Sequence, residues 1–561
     1  MTRPSQVQIQ VAITLLFAVA LTAGLAITKP PSPLACQRLV IASSNEKFGM
    51  LRDFAASYSR SEGRASQPCV TVAVEQVNSG DAEVALEQGW AGMSVERPDV
   101  WAPASTAWLN LLIQSTNEGA LRPAGPAHSL FKSPLVIGIP QPMAEALGYP
   151  AKPVGWSDIL ALVKNPAGWR EFGHAEWGAF RFGKTNPTVS TSGLHALVGT
   201  YLAATGGSLT KEQVTSPSVH DFVAGVEAGV VHYAQTAADF LSKLRDASDR
   251  GQLAALLYVS AVAVEEQELV DYNAGVIAGV HHGAPSVFLV PIYPKEGTPV
   301  ADHPYVILNS AKQVAAQGFY GYLTRTEQQA EVDKRGFRAV GSGDRGEVGR
   351  LLGQQKFIKS DQPAVVLQLP PGDVLGAMVS AWKVYRKRAR VLILVDAAAD
   401  SGLLKQAMLL LADAVARFNP TDSAGVWVFP APAGYPTPYV VQVPVAPVSS
   451  ELATALRAIT HTGDRPDLES SLKAAIVSMG ASYDPGAVDA VLLVEMSPGQ
   501  RTANALEIEQ YLRNQVIGHF VRVFTVGPAS ERLQDLATNG GGLAYQPGSA
   551  NHFLSDVISN F

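Results

Sequence analysis

Residues 382–402 read WKVYRKRARVLILVDAAADSG, and the change of character within them decides how the chain is built. A basic run, Lys383, Arg386, Lys387, Arg388 and Arg390, gives way to five consecutive apolar residues, Val391 to Val395, that end on Asp396. Such a run is too short for a bilayer and predicts a strand buried on both faces, as in a parallel sheet. A carboxylate at the carboxyl end of that strand stands where open α/β sheets place their ligands. The following LLKQAMLLLADAVARF has apolar residues on most turns, which predicts a helix with Ser401 as its cap.

Toward the carboxyl terminus the same alternation continues. GVWVF (425–429), AVLLVEM (490–496) and VRVFTVG (521–527) are apolar strands between helical segments, and ERLQDLATNGGGLAY (531–545) is a helix with a Gly-rich ending. These elements resemble a von Willebrand factor A (VWA) domain, with a Rossmann-like sheet. The resemblance implies a metal site built from an Asp-x-Ser-x-Ser loop, a distant Thr and a later Asp. Here the loop is Asp396-Ala397-Ala398-Ala399-Asp400, the HTGDRPDL loop (461–468) offers no matching threonine, and Glu495-Met496-Ser497 puts methionine at the aspartate position. A hard divalent cation needs several oxygen ligands, so the site is expected to be degenerate and no metal is expected to bind. The competing reading is a rearranged site using Asp396, Asp400, Asp464 and Glu495.

At 561 residues the chain exceeds what one core supports. A hydrophobic fraction of 47% with 16% charged residues is that of a folded chain, and a net charge of −6 with no basic stripe argues against a nucleic-acid partner. Residues 11–28, VAITLLFAVALTAGLAIT, are uncharged and would make a helix of about 27 Å, enough for a thin membrane. An uncleaved single-pass anchor in the cell membrane is expected, with the bulk of the chain outside the cytoplasm. A cleaved or lipidated signal competes with it, since Leu34-Ala35-Cys36 looks like a lipobox, although KPPSP separates that cysteine from the apolar core. The two cysteines, Cys36 and Cys69, each precede a strand of one βαβ unit, and an oxidising compartment predicts that they form a disulfide.

From 37 to about 340, strands and helices alternate, and hydroxyl-rich breaks fall at strand ends. LVIASSNEKFG presents Ser43, Ser44 and Asn45 at a helix start, where free backbone N–H groups favour an anion or a polar head group. PDVWAPASTAW supplies Trp101 and Ser105, NPTVSTSG supplies Ser190, Thr191 and Ser192, and EEQELVDYN supplies Glu266. Trp101 is equally suited to stack on a ligand ring or to fill the core, and Trp108 is assigned to the core. This pattern resembles a bacterial extracellular solute-binding protein of the two-lobed periplasmic type (type 2). The resemblance implies two α/β lobes with the ligand between them: a first lobe of about 37–135 and 286–340, a second of about 136–285, and crossovers near LVIGIP (135–140) and SVFLVPIYP (286–294). Segment 1–36 is then the anchor and spacer, 341–384 a linker and docking segment with Trp382 near its end, and 385–561 the VWA-like domain.

Gly-x-Ser-x-Gly, His-Glu-x-x-His and the Walker phosphate loop are all missing from the sequence, and His281-His282 on an extended segment points to opposite faces. The chain therefore reads as a binding protein with no cofactor rather than an enzyme. The expected function is capture of a small polar or anionic solute by the two-lobed module, with the VWA-like domain contacting a protein partner. The alternative is a structural or assembly protein of the cell envelope with a vestigial cleft. Converging hydroxyls would favour the first, and a cleft filled by apolar side chains the second.

Overall fold

The structure, a computed structural model, describes residues 36–545 except 92, 116–122, 278, 342, 399–400, 416–417, 419–420, 463–466, 485, 497–504 and 516–520. The expected anchor at 11–28 lies outside the described residues; among those described, no helix is long and apolar enough to cross a membrane.

Three large sheets organise the chain. In the first, the order is Val70–Gln76, Gln37–Ser43, Val100–Ala102, Pro304–Ile307, His128–Ser129. The first three strands run parallel, and the fourth returns antiparallel from far along the sequence. Leu39, Val40 and Ile41 are fully buried because helices cover both faces. The register pairs Gln37 with Val70, so the preceding residues are neighbours too. Cys36 and Cys69 accordingly form a disulfide with their α-carbons 4.6 Å apart, as the sequence predicts.

The second sheet has the order Leu289–Ile292, Ser133–Pro140, Ala261–Glu265, Phe182–Thr185, Val230–Ala234, with Val300–Ala301 also pairing on Ser133–Pro140. The two segments expected as crossovers, 135–140 and 286–294, are thus antiparallel neighbours inside this sheet. The chain passes between the sheets earlier, between Ser129 and Ser133, and returns later, between Ala301 and Pro304. An apolar run marks a strand equally well in either lobe, so the sequence alone placed the passage several residues off.

The third sheet has the order Val440–Pro447, Ser423–Phe429, Arg388–Asp396, Ala487–Val494, Arg522–Val526, Gly541–Tyr545. All neighbours are parallel except the edge strand Val440–Pro447. The run 391–395 is its central strand, and its period of two splits it between two cores. Val391, Ile393 and Val395 pack with helices Ser401–Val415 and Ser450–Ala458; Leu392 and Leu394 pack with helices Leu468–Ala481, Ala505–Gln515 and Glu531–Asn539. This unit touches the second lobe, where the Arg522 guanidinium donates to the Val231 carbonyl at 2.8 Å.

Candidate functional site

The first and second sheets with their covering helices, called the first and second lobes below, meet along a seam of polar side chains that come from both. On the first lobe, Ser43 ends strand Gln37–Ser43 and Ser44 precedes helix Asn45–Arg60. The Ser44 hydroxyl does not cap that helix; it donates to Glu46 and accepts from Lys47. Lys47 Nζ also donates to Glu46 at 3.0 Å and to the Pro103 carbonyl at 3.1 Å, and lies 3.3 Å from His303 Nδ1. The other ring nitrogen of His303 lies 3.3 Å from Glu265 Oε2, on the second lobe. Ser192 there donates to Glu268 at 3.0 Å and accepts from the Glu265 N–H.

Two further pairs cross the seam. Ser105 meets His195 Nε2 at 2.9 Å, and the Trp108 indole N–H donates to Thr191 at 2.8 Å. Ser44, Lys47, Ser105, Thr191, Ser192, His195, Glu265 and His303 are each no more than 5% exposed.

Burial sets the charges. Burial raises Glu46, but Lys47, His303 and Ser44 outweigh it and hold the carboxyl below its ordinary range. Burial lowers Lys47 against the pull of Glu46. His303 is lowered by burial and by Lys47, yet Glu265 and Glu46 carry it above its usual value. Glu268 is pushed well up by burial and by the neighbouring Glu265 and Glu46. His195 is pushed down to about 3 by burial and remains neutral, with Nδ1 lacking a hydrogen-bond partner among the described residues. Lys47 and His303 thus lie among Glu46 and Glu265, and burial pushes the Glu265 carboxyl up against the pull of His303.

Of the residues singled out in the sequence, Ser44, Ser105, Thr191 and Ser192 come together in this seam, with Ser43 adjoining it through the Ser44 carbonyl. The others go elsewhere. Asn45 donates to Asn78 at 2.6 Å, and Ser190 accepts from Thr185 at 2.9 Å at the start of its helix. Trp101 is 1% exposed in a strand paired on both sides, so it belongs to the core and stacks on no ligand. Glu266 turns away from the seam and forms a two-pronged ion pair with buried Arg338, with the Tyr293 hydroxyl also donating to it. Glu46, Lys47, His195, Glu265, Glu268 and His303 carry the site's chemistry and were missed. The only local signals were Glu46-Lys47 in the first turn of a cleft helix and the acid-rich EEQE beside Glu266.

A second group of polar side chains gathers at the carboxyl ends of the third sheet's strands. Asp396 accepts from the Ala398 N–H at 2.9 Å, and burial raises it against the pull of that N–H, Arg532 and His461. Met496 is 2% exposed and packs into the core below. A guanidinium supplies positive charge here: Arg532 lies 3.0 Å from Glu469 and 3.5 Å from Glu495. Asp400 and Asp464 lie outside the described residues. Among the described residues no group of three His, Cys, Asp or Glu side chains is placed to hold a metal ion.

Comparison with known proteins adds the following. The model of a family described as bacterial extracellular solute-binding protein matches residues 39–338. Two relatives, uncharacterized proteins from two strains of Mycobacterium tuberculosis, are 25% identical over 301 residues, 51% of this chain and 40% of their own length. Among solved structures, the periplasmic binding protein AfuA from Actinobacillus pleuropneumoniae, with fructose-6-phosphate bound, is 16% identical, covering 63% of this chain and 99% of its own at a TM-score of 0.39. The GacH receptor of Streptomyces glaucescens is 16% identical, covering 63% and 98% at 0.40. Proximal thread matrix protein 1 from the mussel byssus is 12% identical, covering 33% and 51% at 0.25. At these scores, what those proteins bind is theirs alone.

Proposed function

The chain belongs to the bacterial extracellular solute-binding protein family, and we propose that residues 37–340 capture a small polar solute between two lobes outside the cytoplasm. The observation that carries this reading is the convergence of Ser44 and Ser105 from one lobe with Thr191 and Ser192 from the other. The first sheet supports it, because the returning strand Pro304–Ile307 inserts between Val100–Ala102 and His128–Ser129 and so ties the two lobes through paired segments. Ser44 and Ser192 each bond to a glutamate, Glu46 and Glu268, which favours a solute bearing hydroxyl groups over the anion that the sequence allowed. We assign 1–36 to a membrane anchor, 341–384 to a docking segment and 385–561 to a VWA-like unit that contacts a protein partner.

In that unit, the strand order and the position of Asp396 at the end of the central strand support the VWA reading. The Arg532 guanidinium between Glu469 and Glu495 supports a partner contact that needs no metal. A thermal-shift screen of sugars, sugar phosphates, amino acids and amines tests the solute. Stabilisation by a sugar or other polyol, lost in Ser192→Ala, is the expected result; a screen in which nothing stabilises removes the reading. One observation favours the alternative, a structural or assembly role: Ser44, Glu46 and Lys47 already bond to one another, and Lys47 lies 3.3 Å from His303 within the seam. An empty screen combined with envelope defects in a deletion strain would decide for it.

A further inference from the structure

Helix Gly372–Tyr385, in the expected docking segment, lies across both lobes. Its amino end sits on the first lobe. Gly372 is so close to helix Thr106–Ser115 that a Cβ there would lie 2.2 Å from the Asn110 carbonyl oxygen. Its carboxyl end sits in the second lobe, where the Trp382 indole N–H points at Glu227 at 3.4 Å and its ring meets Tyr233 edge-on at 5.5 Å. Glu227 is itself paired with buried Lys184 and accepts from the Tyr233 hydroxyl. Tyr385 adds a second edge-on contact, with His220 at 4.6 Å. The 14 residues make a rod of about 21 Å.

Between these ends Val374, Leu375, Met378 and Ala381 are buried. They join Trp108 and Leu112 of the first lobe and Tyr201 and Val223 of the second in one apolar cluster. Separating the lobes must either expose part of that cluster or detach one end of the rod.

The helix is also tied directly to the third unit. After Tyr385 only Arg386 and Lys387 precede the central strand Arg388–Asp396, and Arg386 forms a 2.7 Å ion pair with Asp422 of that unit. A displacement of the third sheet therefore reaches the helix through two residues.

We propose that helix Gly372–Tyr385 is a latch that holds the lobes together and couples their opening to the third unit. In a hinged receptor a solute shifts the lobes only by its differential affinity for the closed form. Here the chain supplies closing contacts of its own, so solute exchange waits on release of the helix, and a partner that displaces the third unit supplies that release. The inference rests on the two-lobed reading but not on the identity of the solute.

The test uses the full chain carrying spin labels at Asp53→Cys on the first lobe and Arg170→Cys on the second. Both sites are exposed, and the two native cysteines are paired. Distance distributions are compared for the parent and for two variants. Trp382→Ala removes the anchor in the second lobe; Gly372→Leu forces the other end off Asn110 without deleting a buried atom. The parent is expected to give one short distance, and each variant a second, longer population of at least about one molecule in ten. The latch is refuted by a parent that already populates both distances, or by folded variants, checked by circular dichroism, that keep the parental distribution. If Trp382→Ala fails to fold, Gly372→Leu decides. A failed solute screen leaves the distances unchanged and so falls on the solute reading alone.

Discussion

Lys47→Met tests the seam most directly. The ammonium is fully buried and donates to Ser44, Glu46 and the Pro103 carbonyl. Methionine keeps most of the length but none of the charge, so Glu46 is left in the seam with only Ser44 and His303 for company. Breaking a buried pair from one side costs about 3–5 kcal/mol, because the remaining charge keeps its desolvation cost. At about 2–4 °C per kcal/mol for a unit of this size, the melting temperature of the two-lobed module should fall by roughly 6–20 °C at pH 7.

The pH dependence supplies the sign. In the parent, Glu46 is depressed below 4.5, so its stabilisation is present above that value and lost only as pH falls through the folded pKa. In the variant the opposing effect of burial, the largest on this group, is no longer outweighed, and its pKa rises. A raised carboxyl stabilises below its unfolded value and loses that contribution as pH rises. The deficit should therefore shrink between pH 7 and pH 4.5, and adding Glu46→Gln should restore part of the loss at pH 7. Scanning fluorimetry across that range is the assay. A loss under about 1 kcal/mol at pH 7, or one that does not change with pH, would refute the network as drawn.

Reducing the Cys36–Cys69 bridge, which closes a loop of 33 residues, should cost about 3–4 kcal/mol, and peptide mapping without reductant should recover the linked pair. His303 is raised above 6.5 and Glu268 well above 4.5, so both stabilise below those values and lose that contribution as pH rises through their folded pKa values. The two-lobed module should consequently melt higher at pH 6 than at pH 8.5, with a flatter profile in His303→Gln; a profile that rises with pH contradicts this. In the third unit, chelator should leave the melting temperature unchanged, while Arg532→Ala should lower stability by about 1–3 kcal/mol by removing the guanidinium that pairs with Glu469 and Glu495. Calorimetric binding of Mg²⁺ at micromolar affinity, lost on Asp396→Ala, would sink that account.

The local elements were legible because they follow from periodicity. Val391 to Val395 had to be a strand with two covered faces, and the structure divides them between two cores in alternation. The cysteines had to meet because each stands one residue before a strand of the same pair. Hydroxyls at strand ends pointed to the interlobe face, and Ser44, Ser105, Thr191 and Ser192 are there.

What fills that face was decided by the tertiary structure. Lys47 and His303 are 256 residues apart, and no spacing rule joins them. Glu265 ends a strand and Glu266 begins a helix; that single step sends one carboxylate into the seam and the other to Arg338. Arg532 reaches Glu469 and Glu495 only because the sheet order brings the ends of distant strands together. Periodicity fixes which side of its own element a residue occupies. Whether that side meets water, a partner lobe or a distant charge depends on how the elements pack, and burial then sets the charge each group carries.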